Sequence, residues 1–262
     1  MLYEKAADKE GHLLFDRYTK DNAYVYNPMP HFHNSVELFF VADGEFTIYI
    51  GGEKRILSSG DSAFIDRLTP HTMGTTNIFD TLEVYVVVAS ERYLDGVRWL
   101  EKETLQPFTK KKAGFDKILS FLRWAYDFRD DMNEEMRRGF VTLLLGLAKE
   151  YCTSHARHTE KSNSLIADVM SYIGDSYTEN ITLDGLAKRF GYEKTYLSRT
   201  FNSILGMNLR EYINRVRINA VKKRKKKNPD EPLYRIAEDC GFENLTTFYR
   251  AYKKYGSQKH NF

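Results

Sequence analysis

The sequence predicts an α+β protein of two domains, a barrel or sandwich of short strands followed by an all-helical C-terminal half. Three observations carry this. Residues about 20–90 alternate short β-rich runs with tight turns, the pattern of a small barrel or sandwich. From Phe115 onward, apolar residues recur at three- and four-residue intervals, which is the helical period. The C-terminal half also repeats itself internally, one helical unit following another.

The strands come first. Val36 to Val41 is an apolar run ending in Asp43-Gly44, and Phe46-Thr47-Ile48-Tyr49-Ile50 follows. Asp-Gly between two such runs is a strong hairpin signal. Gly51-Gly52 makes a second turn before Arg55-Ile56-Leu57, and Gly60-Asp61 a third before Ser62-Ala63-Phe64-Ile65. Leu82 to Val88 is one more β-branched run. Two amphipathic helices are expected next. One lies around Phe115–Phe128, with Phe115, Leu119, Leu122 and Tyr126 on one face. The other lies at Glu134–Tyr151, with Phe140, Leu143, Leu144, Leu147 and Tyr151 on one face. The stretch from Thr153 to Ser164 is polar and holds no Leu, Ile, Val or Phe. The expected division is therefore 1–152 for the first domain, 153–163 for the linker and 164–262 for the second domain.

Bulk properties narrow the class. Of 262 residues, 42% are hydrophobic and 29% charged, as in soluble globular chains. No apolar run approaches the ~20 residues of a bilayer span. The N-terminus lacks the apolar stretch of a signal peptide, and the two cysteines, Cys152 and Cys240, lie far apart. A cytoplasmic chain with reduced thiols and no membrane partner is expected. Charge is unevenly shared: residues 161–262 carry 19 Lys+Arg against 11 Asp+Glu, and residues 1–160 carry 20 against 25. A basic half on an acidic one points to a polyanion as partner of the first.

The repeat is the most specific feature. Leu183, Leu186, Ala187, Phe190, Gly191 and Tyr192 reappear fifty residues on as Leu233, Ile236, Ala237, Cys240, Gly241 and Phe242. One residue is then added, so that Leu197, Arg199 and Phe201 correspond to Phe248, Arg250 and Tyr252. In each unit a short helix buries one apolar face, and a glycine accepts the sharp turn. A second helix follows, with Leu197, Phe201 and Ile204 inward in the first unit. This is the helix-turn-helix pattern, whose second helix reads bases in the major groove. Between the units, Leu209, Ile213, Val216 and Ala220 form the stripe of a connecting helix. Such a helix can place two units in successive major-groove segments ~34 Å apart.

The segment from Ile181 to Lys254 resembles the AraC/XylS family of bacterial regulators, in "ITLDGLAKRFGYEKTYLSRTF", "REYINRVRI" and "RIAEDCGFENLTTFYRAYKK". The resemblance implies double-stranded DNA as partner, with RNA polymerase a further one. Expected DNA-facing residues are Lys194, Thr195, Ser198, Arg199 and Asn202 in the first unit. In the second they are Asn244, Leu245, Thr246, Tyr249 and Arg250. Among them, 195, 198, 199, 245, 246 and 250 match base-facing family positions. Arg199 and Arg250 suit bidentate contact to guanine or a phosphate clamp, and Leu245 suits a thymine methyl. Tyr249 is equally suited to a phosphate. Two departures from the family pattern stand out. A basic run, Lys222 to Lys227, follows Val221 where the connecting helix should continue, and such density of like charge is expected to fray the helix unless phosphate orders it. No proline follows Gly256, so weaker bracing of the second unit is expected.

In the N-terminal half, His31-Phe32-His33-Asn34-Ser35-Val36-Glu37 and then Gly44 resemble the first motif of the cupin barrel, and His71 after Pro70 falls where a later cupin histidine would. The fold class is thus a cupin-like β-barrel with dimerisation-type helices, followed by the double helix-turn-helix domain. Positions 31, 33 and 37 share parity, so an unbroken strand would turn them to one face. His31, His33, Glu37 and His71 are candidate metal ligands, although bound metal is not the expected state and no cofactor is assigned. The second cupin motif has no glycine between Pro70 and His71, which argues against catalysis. The favoured role is a small-molecule sensor, with His31, His33, Glu37, Phe39, His71, Tyr24 and Tyr26 as candidate liners and a sugar as one ligand class. The function expected is a ligand-responsive, homodimeric transcription regulator. The alternatives are a metal-dependent cupin enzyme with an appended DNA-binding region, and a constitutive DNA binder whose barrel only oligomerises. No nucleophile triad or phosphate-cradling loop points to another catalytic class.

Overall fold

The computed structural model describes residues 13–19, 29–74, 81–110, 113–156 and 161–256. The strands are β1 (Leu13–Thr19), β2 (Val36–Asp43), β3 (Glu45–Ile50), β4 (Glu53–Ser58), β5 (Ser62–Ile65), β6 (His71–Gly74), β7 (Glu83–Ala89), β8 (Glu103–Leu105), β9 (Phe108–Thr109) and β10 (Ser154–Ala156). Among the described residues they form a five-stranded sheet, β1-β7-β2-β5-β9, a three-stranded sheet, β4-β3-β6, and a β10-β8 pair. All pairings within the sheets are antiparallel.

The larger sheet is buried on both faces, which is why β2 and β7 read as unbroken apolar runs rather than as an alternation. In register, Phe39 sits opposite Val86 and Leu38 opposite Val87. One face, with Phe39, Val41, Val84, Val86 and Val88, packs on Phe46, Ile48, Ile50 and Leu57 of the smaller sheet and forms the barrel core. The other face, with Val36, Leu38, Phe40, Tyr85 and Val87, packs on helices α2 (Phe115–Tyr126) and α3 (Glu134–Tyr151). A short α1 (Glu91–Leu94) precedes them. Asn133 caps α3, its side chain accepting from the Met136 amide. Phe140 and Leu144 of the expected α3 stripe are buried and Leu147 and Tyr151 half-buried, whereas Leu143 is 51% exposed.

The C-terminal half is α4 (Lys161–Ser176), α5 (Leu183–Phe190), α6 (Lys194–Leu205), α7 (Leu209–Lys227), α8 (Leu233–Asp239) and α9 (Leu245–Ala251), closed by a π-helical turn at Tyr252–Gly256. The helix-turn-helix units are α5–α6 and α8–α9, and α7 divides its apolar stripe between them. Tyr212, Ile213 and Val216 enter the core of the first unit with Leu186, Leu197 and Phe201. Ile218 and Val221 enter that of the second with Ile236, Phe242 and Phe248. One helix therefore belongs to both cores, which ties the units together more firmly than a loop would. No helix among the described residues is long and apolar enough to cross a membrane.

Three sequence expectations are corrected. The stretch 153–163 is not a plain linker: Ser154–Ala156 pair with β8 and Lys161 opens α4. A strand edge with free backbone groups outweighs local polarity here. The basic run does not fray. α7 stays helical to Lys227, because Arg224 pairs with Glu231 and with Asp239 at 2.8 Å, while Lys225 reaches the Glu231 carbonyl at 2.8 Å. Cations at a helix C-terminus are also favoured by the macrodipole. The second unit is braced without the family proline: the Arg215 guanidinium lies 4.8 Å from the Tyr255 ring centroid, and Lys222 Nζ donates to the Tyr255 carbonyl at 3.1 Å.

Candidate nucleic-acid interface and histidine pocket

The second helices of the two units, α6 and α9, start at well-made caps. The Glu193 carboxylate accepts from the Tyr196 amide at 2.9 Å and opens α6. The Asn244 side chain accepts from the Thr246 and Thr247 amides and opens α9. Capping and a solvent-facing first turn together leave the next side chains pointing outward. Lys194, Thr195, Arg199, Asn202, Asn244, Leu245, Thr246, Tyr249 and Arg250 are exposed, and Ser198 is half-buried. Among the described residues no ion pair joins Arg199 or Arg250 to a carboxylate. Lys194, by contrast, pairs with Asp184 at 2.9 Å. Asn244 is tied up as a cap through its carbonyl oxygen, so its first role is structural. Asn244→Ala is expected to destabilise the second unit by about 1 kcal/mol, read as a lower midpoint in denaturant unfolding.

The two units open onto a common cleft of about 660 Å³, lined by Ser198 of α6, Arg210 and Arg217 of α7, and Asn244 and Thr247 at the start of α9. Arg217 sets the geometry of this cleft. Its guanidinium donates to the carbonyls of Tyr177 and Glu179 at 2.7 and 2.8 Å and lies over the Phe242 ring. Gly241, at φ +88°, turns the second unit against that same loop, where a Cβ would stand 2.8 Å from the Tyr177 carbonyl oxygen and the Thr178 backbone. Tyr192, just before α6, and Tyr196 in its first turn form an exposed stacked pair with centroids 5.5 Å apart, which neither the repeat nor the family motif marks as functional.

The second site is the histidine pocket. The strand expected to carry His31, His33 and Glu37 is broken: His31 and Phe32 bridge separately, and β2 begins at Val36. The residues converge nonetheless. His31 and His71 exchange both backbone hydrogen bonds at 2.9 Å, and Glu37 Oε2 lies 3.2 Å from His33 Nε2 and 3.1 Å from His71 Nε2. Each imidazole is held from behind, Nδ1 meeting a backbone carbonyl: Met29 for His31, Ser35 for His33 and Thr69 for His71, at 3.2, 3.0 and 2.8 Å. A carbonyl can only accept, so a proton on Nδ1 satisfies each of them, and in His33 and His71 it is Nε2 that turns toward the Glu37 carboxylate. All four side chains are buried. Burial pushes His31 well below the ordinary imidazole range, with His71 and His33 adding to it. Burial alone would raise the Glu37 carboxyl, but His33 and His71 beside it hold it well below the usual carboxylate range.

This donor set fits a divalent transition metal. The ligand atoms of His33, Glu37 and His71 lie within 4.8 Å of one another, the His31 ring is 4.1 Å from that of His71, and the backbone carbonyls supply the outer hydrogen bonds that metal-bound imidazoles need. His71 Nε2 has no aligned hydrogen-bond partner despite its nearness to the carboxylate. Bound there, a divalent ion would balance the buried Glu37 charge and join the two chain segments that carry its ligands. Phe39 is not part of this site: its ring stacks on Phe46 at 5.5 Å within the barrel core. Tyr24 and Tyr26 lie outside the described residues.

Comparison with known proteins agrees with both halves. A helix-turn-helix domain model matches residues 186–257 and a cupin domain model residues 26–88. The chain is 21% identical over 252 residues to the melibiose operon regulatory protein of Escherichia coli, covering 87% of this chain and 80% of that one. It is 34% identical over 100 residues to the transcriptional activator AarP of Providencia stuartii, covering 38% of this chain and 73% of the activator. A crystal structure of an apo ToxT variant from Vibrio cholerae superposes with a TM-score of 0.50 over 94% of each chain at 12% identity, a likeness of fold alone. With two helix-turn-helix units on one connecting helix behind a cupin barrel, the chain belongs to the AraC/XylS family of DNA-binding transcription regulators, not to an enzyme family.

Proposed function

We propose that this regulator reads DNA through the starts of α6 and α9 and answers to a small ligand held at the histidine pocket. The observation that carries the first part is the common cleft lined by residues of both second helices, with Arg199 and Arg250 exposed on those helices. Lys194, Thr195, Ser198 and Asn202 act with Arg199, and Leu245, Thr246 and Tyr249 with Arg250. Asn244 contributes mainly as a cap. In this reading 1–152 senses and oligomerises, 164–262 binds DNA, and the junction between them is partly ordered through β10.

The pocket favours an ion-sized polar ligand over a sugar. The melibiose-operon relative is support for a sugar, but the barrel interior is filled by a hydrophobic cluster that includes Phe39, and a ring packed in a core is not offered for stacking. The decisive test is binding to the upstream region of the protein's own gene at two salt concentrations. Selective, salt-sensitive binding supports the reading, and affinity equal to that for random DNA refutes it.

A homodimer completes the proposal. Trp124 on α2 is 63% exposed and Leu143 on α3 51%, large apolar surface that an isolated domain gains nothing by exposing. Trp124→Asp or Leu143→Asp is expected to shift the protein from dimer to monomer in sedimentation equilibrium, with the melting temperature little changed. A monomeric wild type would remove this part of the proposal.

A further inference from the structure

The edge of the barrel that builds the histidine pocket is also the edge that holds the first helix-turn-helix unit. His31 and His33 turn toward the pocket, and Phe32 between them packs the other way. Phe32 is 3% exposed and lies, with Met29, in the cluster of Ile166, Val169 and Met170 of α4 and Leu197, Phe201 and Ile204 of α6. The loop before His71 makes a second contact. Leu68 packs against the same cluster with φ +58°, a left-handed conformation costly for a leucine, and its amide donates to the His33 carbonyl at 2.9 Å. The Gly51–Gly52 turn makes a third. Gly51 N–H donates to the Pro70 carbonyl at 2.9 Å, next to His71. Gly52, at φ +89°, comes so close to the end of α6 that a Cβ would stand 2.0 Å from the Ser203 carbonyl oxygen. Phe32 is thus one residue, and Leu68 one backbone hydrogen bond, away from a pocket histidine, and the Gly51–Gly52 turn reaches His71 through Pro70.

Resting on the ligand-responsive reading above, we infer that this edge is a latch: a divalent transition-metal ion at His33, Glu37 and His71 fastens the first unit to the barrel through Phe32, Leu68 and the Gly51–Gly52 turn. The physical reason lies in the connectivity. His33 and Glu37 belong to the chain that carries Phe32, and His71 to the chain that carries Leu68. An ion bound by all three joins these two pieces, and the surface on which α4 and α6 dock becomes one rigid platform. By linkage, whatever strengthens docking when the ion binds must also strengthen ion binding when the unit docks. The second unit has its own core, with Ile218, Phe242 and Phe248, and stays outside this coupling.

The test uses the full chain, with Zn²⁺ as the probe, calorimetry for uptake and amide hydrogen exchange for docking. Wild type should take up one Zn²⁺ per chain, and exchange in α4 and α6 should slow by about tenfold or more while α8 and α9 stay unchanged. Phe32→Ala should still take up one ion, with α4 and α6 no longer responding to it. Glu37→Gln should lose both uptake and response. Should Phe32→Ala fail to fold, Gly52→Ala decides: the added methyl pushes the turn off Ser203, and the response at α6 should be lost with uptake kept. The latch is overturned if wild type binds no Zn²⁺, if it binds Zn²⁺ with α4 and α6 unaffected, or if Gly52→Ala responds as wild type does. The regulator reading fails separately, by loss of selective DNA binding in wild type whatever the exchange pattern.

Discussion

Replacing both Arg199 and Arg250 with alanine should abolish selective DNA binding while leaving the fold intact. Both side chains are exposed at the reading helices, and neither belongs to a core cluster, so truncation removes a contact without opening a cavity. A bidentate arginine–guanine contact contributes about 1–3 kcal/mol of discrimination. The two sites lie in separate units with separate cores, so their losses should add. The double variant is then expected to bind its operator roughly 30- to 10⁴-fold more weakly at fixed salt. Residual binding should keep its salt dependence, because the lysine-rich end of α7 still attracts phosphate. Titration of an operator fragment against a scrambled one checks this. Retention of wild-type selectivity would place base reading elsewhere, with Tyr192 and Tyr196 the next side chains to truncate.

Phe248→Ala should produce the largest loss of stability, and it should fall on the second unit. Phe248 is fully buried and is the hub of that core, with ring centroids at 5.3 Å from Phe242, 4.9 Å from Tyr249 and 5.4 Å from Tyr252. Removing a buried phenylalanine ring costs about 3–5 kcal/mol. α9 is a seven-residue helix, too short to persist without packing. Denaturant unfolding followed by hydrogen exchange should show α8 and α9 opening well before α5 and α6. DNA binding should fall to that of a single unit. Uniform loss across both units would mean that α7 couples the two cores into one cooperative block, and a change below about 1 kcal/mol would contradict the packing argument.

The family, the fold class and the two helix-turn-helix units were legible in the sequence because each rests on local periodicity or on short-range chemistry. The repeated apolar stripes and the Gly51-Gly52 hairpin between β3 and β4 act within a few residues of themselves, whereas the hairpin expected at Asp43-Gly44 does not form: there the chain passes from the larger sheet to the smaller, and β2 and β3 do not pair. The nearness of His31, His33, Glu37 and His71 was also readable as a motif, although the unbroken strand first invoked for it does not exist. What needed the fold was every property set by partners distant in sequence. Nothing around Lys222–Lys227 signals that Glu231 and Asp239 will hold the Arg224 charge. The polar stretch at 154–156 gives no sign that β8 offers it a strand edge. Phe39 shares its parity with the pocket residues and still goes into the barrel core. Phe32 is the sharpest instance. In the sequence it is a spacer between two histidines, and its place in the core of the DNA-binding half follows only from the packing of α4 and α6 on that edge. Residue patterns within one helix or strand determine its type and its faces, because backbone hydrogen bonding and side-chain alternation are local. Which face meets which is decided by burial across the whole chain, and that lies in the tertiary structure.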